Sequence, residues 1–217
     1  MSIASTMDSI RHNIEKISDN NRLSLGPITI LAASKGQSDT AIDEAIAAGI
    51  TDFGENRVQE AQSKWPELKT RFPHLRLHLI GPLQTNKVKE ALGLFDVIQT
   101  IDRPKLADAI AKEGKISGHR FFIQVNIGKE PQKAGVLPEE TDALVEHCKI
   151  VGLPVVGLMC IPPVGQPPAP HFAMLRQMAI KNDLHELSMG MSDDYETALR
   201  MGSTCIRLGR VLFGERK

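Results

Sequence analysis

The 217-residue chain has only three cysteines, one tryptophan and one tyrosine, and it carries no net charge. Its 26 lysine and arginine residues balance 26 aspartate and glutamate residues, which removes the usual electrostatic argument for a nucleic-acid or anionic-membrane partner. No apolar run approaches the roughly 20 residues of a membrane helix, and the charges in the first 16 residues argue against a secretory signal. We therefore expect a cytoplasmic protein with no nucleic-acid or membrane partner.

The cysteines and histidines show no pattern that would bind a metal ion. Cys148, Cys160 and Cys205 are odd in number and widely spaced, which suits a reducing compartment and predicts neither a disulfide framework nor a Cys-x-x-Cys site. The pair His185-Glu186 lacks the second histidine of a zinc-protease helix. We therefore predict no metal site.

The chain does contain a regular alternation of short β-rich runs and helical patterns. A leading amphipathic helix is predicted over residues 5–23 from the spacing of Ile10, Ile14 and Ile17. Eight β-strands separated by helices follow it, predicted over residues 28–33, 51–55, 76–80, 97–100, 121–127, 154–161, 185–188 and 204–208. This repeat predicts an α/β fold, a single (β/α)8 TIM barrel with an additional N-terminal helix, as one domain over residues 1–217.

A doubly wound open sheet is the structural alternative to the barrel. It would place a glycine-rich turn after the first strand, where this chain has Ala33-Ser34-Lys35-Gly36 instead. The proline-rich segment 161–170, after the sixth strand, is predicted to be a stiff, exposed and extended loop.

In a barrel of this kind the functional side chains lie at the carboxyl ends of the strands. Lys35 follows a buried apolar strand, where desolvation would lower the pKa of its ammonium group toward that of a nucleophilic amine. An ordinary surface lysine at a strand end is the other interpretation. Position alone does not decide between them.

The eighth strand carries a second indication of function. Arg207-Leu208-Gly209-Arg210 precedes a short helical pattern, and the loops after the seventh and eighth strands form the usual phosphate site of such barrels. Gly209 would let a phosphate approach the backbone, and Ser188 could add a hydroxyl donor. Solvated or ion-paired arginines remain the alternative interpretation.

Several long motifs resemble the pyridoxal phosphate homeostasis proteins, a family similar to the barrel domain of alanine racemase without its C-terminal domain. The matching segments run almost from end to end of the chain. They are LAASK at 31–35, FGENRVQE at 53–60, HLIGPLQTNK at 78–87, QVNI at 124–127, KAG at 133–135, GLM at 157–159, LSMGMSDD at 187–194, and GST at 202–204 leading into IRLG at 206–209.

The resemblance implies that Lys35 carries pyridoxal 5'-phosphate (PLP) as an internal aldimine. It also implies that Arg207 faces the pyridine nitrogen, which would then stay unprotonated and make the cofactor a weak electron sink. The remaining cofactor-binding residues that it implies are Ser188, Gly209 and Arg210 at the phosphate, Ser203 and Thr204 nearby, and Asn56 lining the pocket. Residues 164–171 depart from the family, whose members have a longer polar loop there.

The resemblance implies a PLP-binding protein that buffers or carries the cofactor inside the cell, with no catalytic residue assigned. PLP-dependent apoenzymes are then the expected acceptors, and the missing domain predicts a monomer. The alternative is a PLP-dependent amino-acid racemase with weak activity. Racemisation needs a base on each face of the α-carbon, and Tyr195, the only tyrosine, does not lie at a strand end. A scaffold barrel without a cofactor is the third hypothesis.

Overall fold

The computed structural model describes residues 2–21 and 26–214, except for the side chains of residues 20 and 21. Eight strands form a closed barrel in chain order, and every neighbouring pair is parallel. The strands are β1 Thr29–Ala33, β2 Asp52–Glu55, β3 Arg76–Leu79, β4 Val97–Ile101, β5 Arg120–Val125, β6 Val155–Cys160, β7 Glu186–Ser188 and β8 Cys205–Leu208.

The first and last strands close the barrel. β1 pairs with β8 from Thr29 opposite Cys205 to Ala32 opposite Leu208. Helices follow the strands in the order expected of βα units, so the predicted (β/α)8 barrel is confirmed. They are α1 Ile3–Asn21, α2 Asp39–Ala47, α3 Val58–Gln62, α4 Trp65–Arg71, α5 Val88–Leu92, α6 Pro104–Glu113, α7 Thr141–Ile150, α8 Pro168–Lys181, α9 Tyr195–Arg200 and α10 Arg210–Phe213.

The main apolar core lies between the strands and the surrounding helices. Successive side chains of a strand point to opposite faces, so half of them face the helices. Phe53 of β2 packs against Trp65 of α4 with ring centroids 5.2 Å apart, and both side chains are fully buried. Val97, Phe122 and Met159 form a separate and smaller apolar cluster.

The predicted N-terminal helix is present as α1. It packs against α2, α9 and α10, and it buries Ile3, Met7, Ile10 and Ile17. Its apolar stripe therefore covers a part of the outer helical layer, as the spacing of its isoleucines predicts. The predicted end of this helix, at Leu23, lies outside the described residues. No helix among the described residues is long and apolar enough to span a membrane.

The structure corrects two local predictions. The pattern over residues 57–70 predicts one helix, but α3 and α4 are separate, because the chain turns at Ser63 and Lys64 before the proline near the start of α4. The proline-rich segment is not extended throughout, since α8 begins at Pro168. Proline is tolerated in the first turn of a helix because the amide hydrogen it lacks has no partner there.

Candidate functional site

Three neighbouring strands bring four of the eight predicted site residues to one end of the barrel. Lys35 is two residues beyond β1 and half-buried, and Asn56 directly follows β2. Gly209 and Arg210 directly follow β8, which pairs with β1. The register places Ala33 beside the end of β8, and a methyl group built on Gly209 would lie 3.6 Å from the Ala33 Cβ. These carboxyl ends therefore form one rim of the barrel.

Arg207 is a buried cation just inside this rim. Only 5 % of its surface is exposed. Its Nη1 donates to the Ser188 Oγ at 2.7 Å, and its Nη2 donates to the Cys160 carbonyl at 2.8 Å. Among the described residues, no carboxylate lies within 4.0 Å of the guanidinium. Burial lowers the pKa of Arg207 from its ordinary value.

A line of hydrogen bonds runs from Arg207 across the barrel interior. The Ser188 Oγ donates to the Gln99 Oε1 at 2.6 Å, and the Gln99 Nε2 lies 3.0 Å from the His78 Nδ1. The His78 Nε2 lies 2.9 Å from the Asp52 Oδ1. Strands β4 and β7 are not neighbours in the sheet, so the bond between Ser188 and Gln99 must cross the interior.

The far end of this line reaches the amino-terminal side of the barrel at Asp52, the first residue of β2. The Asp52 carboxylate accepts from Arg76 at 2.9 and 3.0 Å and from Thr51 at 2.8 Å. Burial alone would raise the pKa of Asp52, but the hydrogen bonds from His78, Thr51 and Arg76 lower it overall. Burial lowers the pKa of His78 despite the neighbouring Asp52 carboxylate.

The position of Ser188 argues against its expected role as a phosphate donor. Ser188 is fully buried at the end of β7. A hydroxyl group has one hydrogen to donate, and that of Ser188 is used on Gln99. Ser188 therefore lies between Arg207 and Gln99 in the barrel interior, where its hydroxyl accepts a hydrogen bond from Arg207 and donates one to Gln99.

Ser203 and Thr204 lie at the opposite end of the barrel from Gly209, where the phosphate is expected. They precede β8, whereas Gly209 follows it, and the Thr204 carbonyl accepts from the Thr29 amide at the start of β1. At roughly 3.3 Å per residue, the four residues of β8 alone separate the two ends by about 13 Å. The Ser203 hydroxyl donates to the Met189 carbonyl at 2.7 Å. Both residues therefore stabilise the start of β8.

The segment that joins β8 to α10 provides backbone groups at the rim. Gly209 is the N-cap residue of α10, and Arg210 is its first residue. The Arg210 guanidinium pairs with the Asp193 carboxylate of the preceding loop. The Val211 amide donates to the Ser192 Oγ at 3.2 Å, so this hydroxyl lies against the first turn of α10.

Asn56 is held at the rim by a close backbone contact. A methyl group built on Gly81, two residues beyond β3, would lie 2.2 Å from the Asn56 carbonyl oxygen. Only glycine therefore lets the end of β3 approach this closely. Asn56 also lines a cleft of about 580 Å³ that continues along the rim past Arg57, Lys87 and Arg103.

Other reactive side chains do not contribute to the rim. Burial raises the pKa of Cys148 and of Cys160 to about 12, and it also raises the pKa of Cys205. Within the described residues, no group of three or more histidine, cysteine, aspartate or glutamate side chains could hold a metal ion. The Tyr195 hydroxyl accepts from Asn13 of α1 at 3.0 Å and so faces the outer helical layer.

The interior polar residues were missed by the sequence analysis, although a pattern could have indicated them. Asp52, His78 and Gln99 are polar residues inside short apolar strands, where one face is expected to be apolar throughout. Such an interruption marks a strand face that is buried but not apolar.

Nearly the whole chain matches a single known protein family. Residues 6–217 match the model of the alanine racemase N-terminal domain. The chain is 40% identical over 200 residues to the pyridoxal phosphate homeostasis protein of Aquifex aeolicus, covering 87% of each chain. It is 39% identical over 225 residues to that of Pseudomonas aeruginosa, covering 97% of each.

Solved structures of related proteins share the fold of this chain. The chain is similar to PipY of Synechococcus elongatus with PLP bound, with a TM-score of 0.84 and 35% identity over 98% of this chain and 100% of that one. A lysine/ornithine decarboxylase from Vibrio vulnificus has a TM-score of 0.66 at 14% identity, over 95% of this chain and 62% of that one. The decarboxylase supports the fold alone.

Proposed function

Because this chain belongs to the family of the alanine racemase N-terminal domain, we propose that it binds PLP and acts in intracellular PLP homeostasis as a buffer or carrier. The observation that carries the proposal is Arg207, a buried cation without a carboxylate partner among the described residues, close to the strand end that bears Lys35. A buried charge is costly unless hydrogen bonds and opposite charges compensate for it, so a ligand that accepts a further hydrogen bond from Arg207 would stabilise this arrangement. The named relatives and PLP-bound PipY support the same cofactor.

Lys35 is the proposed anchor of the cofactor. When bound, PLP supplies an aldehyde that reacts with primary amines and a pyridine ring that withdraws electrons. The Lys35 amine would condense with the aldehyde carbon and release one water molecule. The half-buried position of Lys35 on the rim, next to the strand that precedes Asn56, would protect this bond from bulk solvent.

Arg207 is proposed to face the ring nitrogen. A guanidinium group donates hydrogen bonds but does not readily give up a proton. The ring nitrogen opposite it would accept a hydrogen bond and remain unprotonated, which limits electron withdrawal. This arrangement favours holding the cofactor over turnover of an amino acid.

The phosphate is proposed to bind where β8 meets α10. The backbone amides of Gly209 and Arg210 would contact the phosphate, and a methyl group at Gly209 would make only an ordinary 3.6 Å contact with the protein. We propose Ser192 as the hydroxyl donor in place of Ser188, because it lies beside the first turn of α10. Asn56 is proposed to line the pocket beside Lys35.

The racemase alternative has less support from the site. Racemisation needs a second base opposite the lysine. The hydroxyl of the only tyrosine, Tyr195, accepts a hydrogen bond from Asn13 of α1, in the outer helical layer. We therefore propose a monomeric cytoplasmic binding protein whose acceptors are PLP-dependent apoenzymes.

The first experiment is a spectroscopic titration with PLP of the wild type, Lys35→Ala and the control Lys181→Ala. Lys181 is an exposed lysine of α8. We expect the wild type and the control to shift the absorption of the cofactor and to yield a borohydride-reduced adduct at Lys35. Lys35→Ala should lose both. The same adduct at another lysine in Lys35→Ala, or no adduct in the wild type, would disprove the assignment.

An assay of racemisation separates the two candidate functions. The PLP-loaded wild type is incubated with L- and D-alanine, and the enantiomers are measured over time. We expect at most trace interconversion. Turnover comparable with a dedicated enzyme, about 1 per second or faster, would favour the racemase.

A further inference from the structure

The hydrogen-bonded line across the barrel interior can run in only one direction. A guanidinium group only donates and an ionised carboxylate only accepts. Arg207 donates to Ser188, so the Ser188 hydrogen is directed to the Gln99 Oε1. The Gln99 Nε2 then donates to the His78 Nδ1, which must be unprotonated.

The proton of His78 is consequently on the Nε2, and it is donated to Asp52. His78 is therefore neutral, with its tautomer set by a carboxylate on one side and an amide on the other. The buried surroundings of His78 favour the same neutral form. Ser188, Gln99 and His78 each accept one hydrogen bond of the line and donate the next, and the second Gln99 Nε2 hydrogen is donated to the Cys205 Sγ at 3.9 Å.

We infer that Gln99 and His78 are positioning residues that orient the Ser188 hydroxyl and thereby hold the Arg207 guanidinium for the cofactor ring. The inference rests on the proposed function. A serine hydroxyl can rotate, and its hydrogen would repel the guanidinium if it turned toward Arg207. Gln99 takes that hydrogen and leaves a lone pair facing Arg207.

The position of Arg207 depends strongly on this arrangement because few groups hold it. Ser188 and the Cys160 carbonyl are the hydrogen-bond acceptors found for its guanidinium among the described residues. The carbonyl is fixed by β6, but the Ser188 hydroxyl needs a partner that fixes its rotation. Asp52, held by Arg76 and Thr51, fixes the other end of the line.

Three variants test the inference by PLP titration. Gln99→Met removes both hydrogen bonds at similar size, and Gln99→Glu keeps an acceptor for Ser188 while His78 takes up a second proton. Gln124→Met is the matched control, since Gln124 is a buried glutamine of β5 that donates to the Ala134 carbonyl instead.

We expect Gln99→Met to weaken PLP binding about tenfold and to change the absorption spectrum of the bound cofactor. Gln99→Glu should recover most of the affinity, and Gln124→Met should bind as the wild type does. Wild-type affinity and spectrum in Gln99→Met would overturn the inference, as would an equal loss in Gln124→Met. Mapping of the Lys35 adduct in each sample separates this result from failure of the proposed function.

A second measurement uses the cofactor-free protein and does not depend on PLP binding. Nitrogen-15 NMR at neutral pH distinguishes the two neutral forms of an imidazole, and comparison with His78→Gln assigns the signal. We expect an unprotonated Nδ1 and a protonated Nε2 in His78. The opposite tautomer, or a doubly protonated ring, would overturn the inference.

Discussion

At the scale of single residues, the barrel interior holds more charge than an apolar core would. Arg207 and Asp52 are both at least 95% buried, and neutral polar groups separate them. Burying charge costs stability unless hydrogen bonds and opposite charges compensate for it. Asp52 is compensated by Arg76, whereas Arg207 has no carboxylate beside it within the described part of the chain. The ring nitrogen of the proposed ligand, PLP, would accept a hydrogen bond from Arg207.

The neutral state of His78 predicts a pH dependence of stability. The pKa of His78 is lowered in the folded protein. Below about pH 6.5, His78 is therefore protonated in the unfolded chain but stays neutral in the folded chain. The free energy of unfolding should therefore be highest above that pH and decrease toward pH 5. The contribution of His78 to this slope is up to about 1.4 kcal/mol per pH unit. The lowered pKa of Asp52 adds a further loss only near and below about pH 4.

Urea denaturation of the cofactor-free protein at pH 7, 6 and 5 measures this effect. His78→Gln, which keeps a donor without titrating, should lose less stability than the wild type over that range. His185→Gln is the control, because the His185 side chain is 84% exposed. Equal slopes in the wild type and His78→Gln would contradict the prediction.

At the scale of structural elements, the rim depends on how closely neighbouring strand ends can approach. The end of β3 lies against the Asn56 backbone only because residue 81 is glycine. Gly93, at the end of α5, is in a different situation, since a methyl group there would meet its nearest atoms at 3.6 Å with ordinary helical dihedrals.

A pair of glycine substitutions tests this contact. Gly81→Ala should lower the free energy of unfolding by about 2 kcal/mol, because backbone must move, and should weaken PLP binding by displacing Asn56. Gly93→Ala should leave binding unchanged and alter stability by less than about 1 kcal/mol. Chemical denaturation and PLP titration measure both effects. Equal behaviour of the two variants would show that the approach of β3 to Asn56 is not tight.

At the scale of the whole molecule, closure of the barrel and packing of α7 against it bury all three cysteines. Cys148 and Cys160 are fully buried, and Cys205 is 3 % exposed in the interior. With the pKa of Cys148 and of Cys160 raised to about 12, almost no thiolate forms near neutral pH. Modification of these thiols therefore requires α7 to detach, for Cys148, or the barrel to open, for Cys160 and Cys205.

Thiol labelling should consequently report opening of the molecule. With a disulfide reagent at pH 8, the three thiols should react slowly in the native protein and rapidly in denaturant. Saturating PLP should slow the native reaction further, because a ligand that binds only the folded state stabilises it. A thiol that reacts in the native protein as fast as in denaturant would contradict the buried placement, and mass mapping would identify it.

The alternation of strands and helices in the sequence was sufficient to predict the barrel, its N-terminal helix and the rim positions of Lys35, Asn56 and Gly209, because these depend on local periodicity and on which residue ends a strand. The tertiary structure alone decided the positions of Ser188, Ser203 and Thr204 relative to the rim. Ser203 and Thr204 are close to Arg207 in sequence, but an extended strand carries them to the opposite end of the barrel. The interior line joins residues from five strands, and its hydrogen bonds exist only because closure of the barrel brings β4 and β7 face to face across the interior.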